Sequence, residues 1–155
     1  MNRVAVGLLL ATMAMVYSGC VEVYRMKLIR DGQVVSQHVG GQFVEAADLS
    51  VVVQAPAFFI IGAGEVLACV TALEYVYQNS PPSMKSMVLA FNSLMNASGH
   101  YLGSLLILII NALSSPIWIG EDPNQSHLEY YLFVLSIIGF INFFIYLSVS
   151  MHYLH

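Results

Sequence analysis

The sequence predicts an all-α membrane protein with four transmembrane helices, and three observations predict it. Hydrophobic residues make up 58% of the 155 residues and charged residues 9%, against roughly 25% charged in an ordinary soluble domain. The five basic and nine acidic side chains are too few to clothe a soluble fold of this length. They also stand in clusters separated by long apolar runs that suit the ~20 residues needed to cross a hydrocarbon core, the shortest of them continuing in apolar character past Glu65 to Tyr77. No Asp, Glu, Lys or Arg occurs between Arg3 and Glu22, between Asp48 and Glu65, between Lys85 and Glu121, or after Glu129.

The same numbers exclude other classes. The apolar fraction is too high for disorder. A net charge of −4 argues against nucleic acid as a partner, because phosphate backbones select basic surfaces. Cys20 and Cys69 are too few for a disulfide scaffold and have no metal-ligand spacing.

The spans are expected near 4–21, 50–77, 86–112 and 130–151, with 22–49 as an extramembrane loop. The first could pass for a secretion signal, since Ser18, Gly19 and Cys20 resemble a lipoprotein cleavage box. Tyr17 stands where that box has an aliphatic residue, and three more spans follow, so an ordinary first span fits better. Glu22 to Arg30 extends it as a helix into the interface, and Gly32, Gly40 and Gly41 break any longer helix. The connection 78–85 is short and carries Pro81 and Pro82. The connection 114–127 carries Trp118, a residue suited to the membrane interface.

Short links make neighbouring spans antiparallel, and an even number puts both termini on one side. Three of the five basic residues, Arg25, Lys27 and Arg30, lie in the first loop. The positive-inside rule alone would place that loop in the cytoplasm.

Several motifs stand in a specific order. Span two holds Gln54 and Pro56, then Glu65 and Val66, then Leu73, Glu74, Tyr75 and Tyr77, followed by Ser80, Pro81, Pro82, Ser83, Met84, Lys85 and Ser86. This succession resembles the tenth helix and following loop of the proton-dependent oligopeptide transporter family, part of the major facilitator superfamily. Its pattern there is approximately Q-x-P-Q-Y, E-V-F, G-L-E-F-x-Y and A-P-x-S-M-K-S. Arg3 to Leu8 with Val21 to Arg25 resembles the ninth helix. Ala97 to Leu102 resembles the eleventh, and Asn124 to Tyr131 with Asn142 and Phe143 the twelfth. Ala57, Phe58, Ala72 and His100 depart from the pattern.

The resemblance covers nearly all of the chain except 32–48, and it is to the last third of such a transporter. It implies a partial C-terminal bundle, helices 9–12 of a major facilitator fold, lacking the eight helices before them. It implies a multi-pass protein, in the plasma membrane by preference, with both termini cytoplasmic and 22–49 outside, against the charge count. The function it implies is that of a C-terminal fragment of a proton-coupled symporter for oligopeptides or other small nitrogenous solutes such as nitrate. The alternative is a truncated, non-transporting multi-span protein. The lipid bilayer is the expected partner, and a small-molecule substrate only together with the absent helices.

Glu65 is the leading site residue. It lies near the middle of span two, where an ionised side chain costs from about 2.5 kcal/mol upward and by default marks function. The resemblance implies that it lines the central cavity and serves substrate binding or proton coupling. Pro56, Gly62 and Gly64 suit a bendable helix before it. Glu74, nine residues on, falls on the opposite face of a straight α-helix and about 13 Å nearer its end, where it could hold the Pro81–Lys85 loop. Asn96 and His100 lie mid-span and are possible supporting residues, His100 foremost as an interhelical hydrogen-bonding group. Ala97, Gly99 and Gly103 read as a close-packing stripe. No nucleophile–base pair stands out, so no catalytic residue, no metal ligand and no cofactor is expected, the proton gradient being the energy source.

Overall fold

The structure, a computed structural model, describes residues 2–39, 42–113, 118–120, 124 and 126–154. Its element order is α1 (Asn2–Arg30), β1 (Val34–Val39), β2 (Gln42–Ala47), a 3₁₀ turn (Val51–Gln54), α2 (Ala55–Glu65), a π-helical turn (Val66–Val70), α3 (Thr71–Gln78), a second 3₁₀ turn (Pro82–Met84), α4 (Lys85–Leu113) and α5 (Leu128–Leu154). The stretch from Val51 to Gln78 is helical throughout. With α1, α4 and α5 it supplies four helices long and apolar enough to cross a membrane. This is the expected all-α architecture.

Helix α1 ends where the sequence places glycine. Gly32 has φ +75°, its amide donates to Ile29 O at 3.1 Å, and Gln33 N donates to Leu28 O at 3.0 Å. This pairing satisfies the last carbonyls of the helix and needs a residue free of a Cβ at the left-handed position. Lys27 and Arg30 in the last turn suit the negative end of the dipole.

Beyond the turn the chain forms an antiparallel hairpin. Its register runs from Val34 opposite Ala47 to Val39 opposite Gln42, and Asp48 N to Gln33 O at 3.1 Å closes its base. This hairpin is an addition to the helical fold expected from the sequence.

Helix α1 is the centre of the bundle, packed by α5 on one side and by α2 with the π-turn on another. Small residues make both contacts, as helix association in lipid requires. A methyl built on Gly139 of α5 would lie 2.9 Å from Thr12 Oγ1, and one on Gly19 would lie 3.1 Å from the Phe133 ring. Thr12 is buried, with its hydroxyl donating to Leu8 O at 2.8 Å, so the polar atom is satisfied inside its own helix. Tyr17 Oη donates to Val53 O at 2.9 Å and ties α1 to the 3₁₀ turn before α2.

Helix α4 is different. It meets the rest of the described chain at α3 and at the turn Pro82–Met84, and none of its residues is buried. Gly99 and Gly103 have nothing within 4 Å of a built methyl. The close packing expected of that stripe lies instead at Gly7, Gly64 and Gly139.

Candidate functional site

The run Gly62, Ala63, Gly64, Glu65 closes α2. Gly64 is buried against α1, where its missing side chain lets the backbones touch: a methyl there would lie 2.9 Å from Gly7 O and 3.0 Å from Ala11 N. The next residue points about 100° away, so packing Gly64 inward turns Glu65 outward. Glu65 is exposed on the described chain and makes no hydrogen bond or ion pair among the described residues.

The π-turn starts at the residue after Glu65. Ala68 within it is buried, and its amide nitrogen would lie 2.5 Å from a methyl on Gly7. The turn is therefore seated on α1 at the same place as Gly64. A π-turn bonds i to i+5 and is frequent at functional sites. It adds about one residue, roughly 100° of rotation, to a helix.

That rotation corrects the position expected for Glu74. Nine residues of straight helix put Glu74 half a turn from Glu65; with the extra residue the angle falls to roughly 80°. Glu74 is exposed, and Gln78 Nε2 donates to its Oε1 at 3.0 Å. Among the described residues it makes no contact with the Pro81–Lys85 loop, and Lys85 Nζ lies instead 4.8 Å over the Tyr77 ring.

The residues expected to form a hinge have other surroundings. Pro56 occupies the first turn of α2, where a missing amide costs no helical hydrogen bond. Gly62 has open space around it, whereas Gly64 is a contact residue. The departure from α geometry comes after Glu65.

Asn96 and His100 stand one turn apart on the exposed surface of α4, in line with Asn92 a turn earlier. Neither side chain has a hydrogen-bond partner among the described residues, so the interhelical bond expected of His100 is not made within them. A cavity of about 540 Å³ separates α3 from α4, lined by Val76, Met84, Met87, Phe91, Asn92 and Met95 among others. Glu65, Asn96 and His100 do not line it.

Polar structure that the sequence reading passed over gathers at the hairpin end. Arg25 binds Glu22 through Nε to Oε2 at 2.9 Å and Nη2 to Oε1 at 2.6 Å. Its Nη1 donates to Asn124 Oδ1 at 3.0 Å, and Asn124 Nδ2 donates to Glu45 O at 2.7 Å. One asparagine thus joins α1, the hairpin and the connection before α5. It is also the first residue of a glycosylation sequon, and both ends of its amide are engaged. Trp118 packs on Tyr130, ring centroids 5.5 Å apart, and Asn111 bonds both the amide and carbonyl of Ile119.

A family model described as the POT family (PTR2) matches residues 1–122. The chain belongs to this family. Among its curated relatives are the NRT1/PTR family proteins 8.1, 7.2 and 7.3 of Arabidopsis thaliana. The identities are 28%, 31% and 30%, each over 157 residues and 99% of this chain. The matched region is 26%, 26% and 24% of those proteins, so this POT-family chain spans about a quarter of the length of the curated relatives it matches. Membership agrees with the motif order around Glu65, Glu74 and Lys85.

Proposed function

We propose that the chain is the C-terminal four-helix portion of a proton-coupled symporter for oligopeptides or other small nitrogenous solutes such as nitrate. The observation that carries this reading is family membership over most of the chain together with a carboxylate in the second apolar helix, Glu65, that is exposed and has no partner among the described residues. A charge at that depth belongs against a cavity or a partner. In the proposed arrangement that cavity forms between this bundle and the helices that precede it in the longer relatives. Glu65 binds a cationic substrate group or takes up the coupling proton. Asn96 and His100 on α4 support it, and Glu74 stabilises the helix end. Gly62, with open space around it, gives α2 its compliance. Alternating access rocks the two bundles about the shared site. The plasma membrane is the proposed location, with both termini cytoplasmic and the hairpin outside.

The test is reconstitution. The 155-residue chain alone in liposomes should give no proton-driven uptake of dipeptide or nitrate. The same chain joined to the preceding helices of the Arabidopsis 8.1 relative should give uptake that collapses with the proton gradient. Uptake by the short chain alone, or none by the joined protein when it is inserted and monodisperse, overturns the reading. The second reading is a truncated multi-span protein that does not transport. The reading frame upstream of Met1 separates the two.

A further inference from the structure

Near the hairpin end of the bundle a cavity of about 160 Å³ lies between α1, the start of α2 and α5. Its walls are pinned. Tyr17 Oη donates to Val53 O at 2.9 Å and ties α1 to the turn before α2. Gly19, beside Ser18, brings the α1 backbone against the Phe133 ring of α5. Glu22 is buried, and both of its carboxylate oxygens accept from Arg25. The space is thus preformed, as small-molecule sites in helix bundles are. Gln54 and Phe58 are the exposed residues of its lining and mark where it opens.

The lining has two chemistries. Phe58, Ile61 and Leu132 are apolar, whereas the Ser18 hydroxyl and the Gln54 amide make no hydrogen bond among the described residues. Water alone would serve the polar groups and leave the apolar walls wet, which is unfavourable. A lipid acyl chain would cover the walls and leave the Ser18 hydroxyl unpaired. Charge is balanced as well. Glu22 is already paired with Arg25 at 2.6 Å, so a cation would have to displace the guanidinium and an anion would meet the carboxylate.

We propose that this cavity binds a small uncharged amphiphile, an aromatic ring bearing one hydroxyl. Its volume is close to the ~150 Å³ of an apolar cavity that takes up benzene, so a single ring fits. The hydroxyl exchanges hydrogen bonds with Ser18 and Gln54, each of which can donate and accept. The ring lies against Ile61 and Leu132, with offset or edge contact to Phe58. Binding forms and breaks no covalent bond. The site is separate from Glu65, which does not line it.

The test holds the full chain in nanodiscs at neutral pH and follows para-fluorophenol by fluorine NMR, with empty nanodiscs as the measure of lipid partition. A saturable shift beyond that partition is expected. Fluorobenzene, which lacks the hydroxyl, should bind at least ~10-fold more weakly. The charged para-fluorobenzoate should not compete. Gln54→Leu should weaken para-fluorophenol by roughly 2- to 10-fold, the contribution of one neutral hydrogen bond, and leave fluorobenzene unchanged. Ser18→Ala should do the same. Leu132→Trp, which fills the space, should remove binding of both rings. No saturable shift, equal binding of the two rings, competition by the benzoate, binding that survives Leu132→Trp, or an affinity unmoved by Gln54→Leu overturns the proposal. Should Leu132→Trp fail to give monodisperse protein, Gln54→Leu, at an exposed position, decides alone. The measurement requires no transport, so its failure and that of the symporter reading are separate results.

Discussion

Gly7 and Gly64 press backbone to backbone across α1 and α2. A methyl on Gly7 would lie 2.7 Å from Gly64 O, and one on Gly64 would lie 2.9 Å from Gly7 O. The atoms met are main-chain atoms, which cannot swing aside as a flexible side chain would. Gly64 is thereby locked inward, and Glu65 is held outward at the start of the π-turn.

Gly7→Ala and Gly64→Ala should each destabilise the bundle by about 1–3 kcal/mol or more, the range for overpacking a tight interior. Unfolding in micelles measures this. Gly99→Ala and Gly103→Ala are the contrast: with nothing within 4 Å, they should be neutral or gain up to ~1 kcal/mol from helix propensity. Equal losses at all four positions would mean that the α1–α2 contact is not what sets stability.

Asn124→Ala should release the hairpin from the bundle. It removes an acceptor from Arg25 and a donor from Glu45 O, at about 1 kcal/mol, since the groups are only partly buried. Amide hydrogen exchange should quicken in 34–47 while α1 and α5 stay protected. Protection unchanged in the hairpin would show that Arg25 and Asn124 do not hold it. The unaltered chain, expressed in a glycosylating membrane, should stay unmodified at Asn124.

How far these features were legible in the sequence depends on their physics. Spans declare themselves because lipid admits so few charges, so gaps such as Lys85 to Glu121 are visible without a fold. The end of α1 was legible at Gly32. The hairpin had a signal as well: Gly40 and Gly41 stand between two β-prone runs, a pattern for a two-residue hairpin loop. The π-turn had none, because Val66 to Val70 reads as ordinary apolar helix. It is selected by the seating of Ala68 on Gly7, a contact between residues 61 positions apart. Which glycines pack was likewise hidden. Gly7 and Gly99 look alike in sequence, and only the neighbouring helix distinguishes them. The partners of Asn124 are tertiary in the same sense.

Orientation is open to chemical labelling. Cys20 and Cys69 are both exposed and must first be replaced. A cysteine at Gln37, on β1, should then react from outside with an impermeant maleimide in the intact carrier. One at Lys85, at the start of α4, should react only after the membrane is opened. The reverse pattern would restore the orientation that Arg25, Lys27 and Arg30 suggest by charge alone.

In the same intact carrier, Glu65→Gln should abolish proton-driven uptake or cut it at least ~10-fold, a loss of about 1.4 kcal/mol or more in transition-state terms, with insertion unchanged. Glutamine keeps the shape and removes both the negative charge and the titratable site. Glu74→Gln should do less, because Glu74 already spends its Oε1 on Gln78. Uptake at matched membrane levels, at acidic and neutral outside pH, decides between them. Near-normal accumulation by the Glu65 variant would return that residue to a structural role.

The π-turn makes the last prediction, and deletion tests it better than substitution. Cys69 is exposed within the turn, while its neighbour Ala68 is the residue seated on α1. Removing Cys69 leaves that seat intact and lets Val66 to Thr71 close as ordinary α-helix. Everything after the turn then keeps its facing relative to Glu65, because eight residues of straight helix turn by the same roughly 80° as nine residues with the π-turn. Helix α3 with Glu74, and α4 with Asn92, Asn96 and His100, would face as before. The shortened protein should insert and unfold no more easily than the parent, since it gains regular helix and loses no buried side chain. The deletion and Cys69→Ser, which keeps the residue count, should both transport like the parent. Loss of uptake by the deletion alone would show that the π-turn itself, and not only the facing it gives Glu74, is needed.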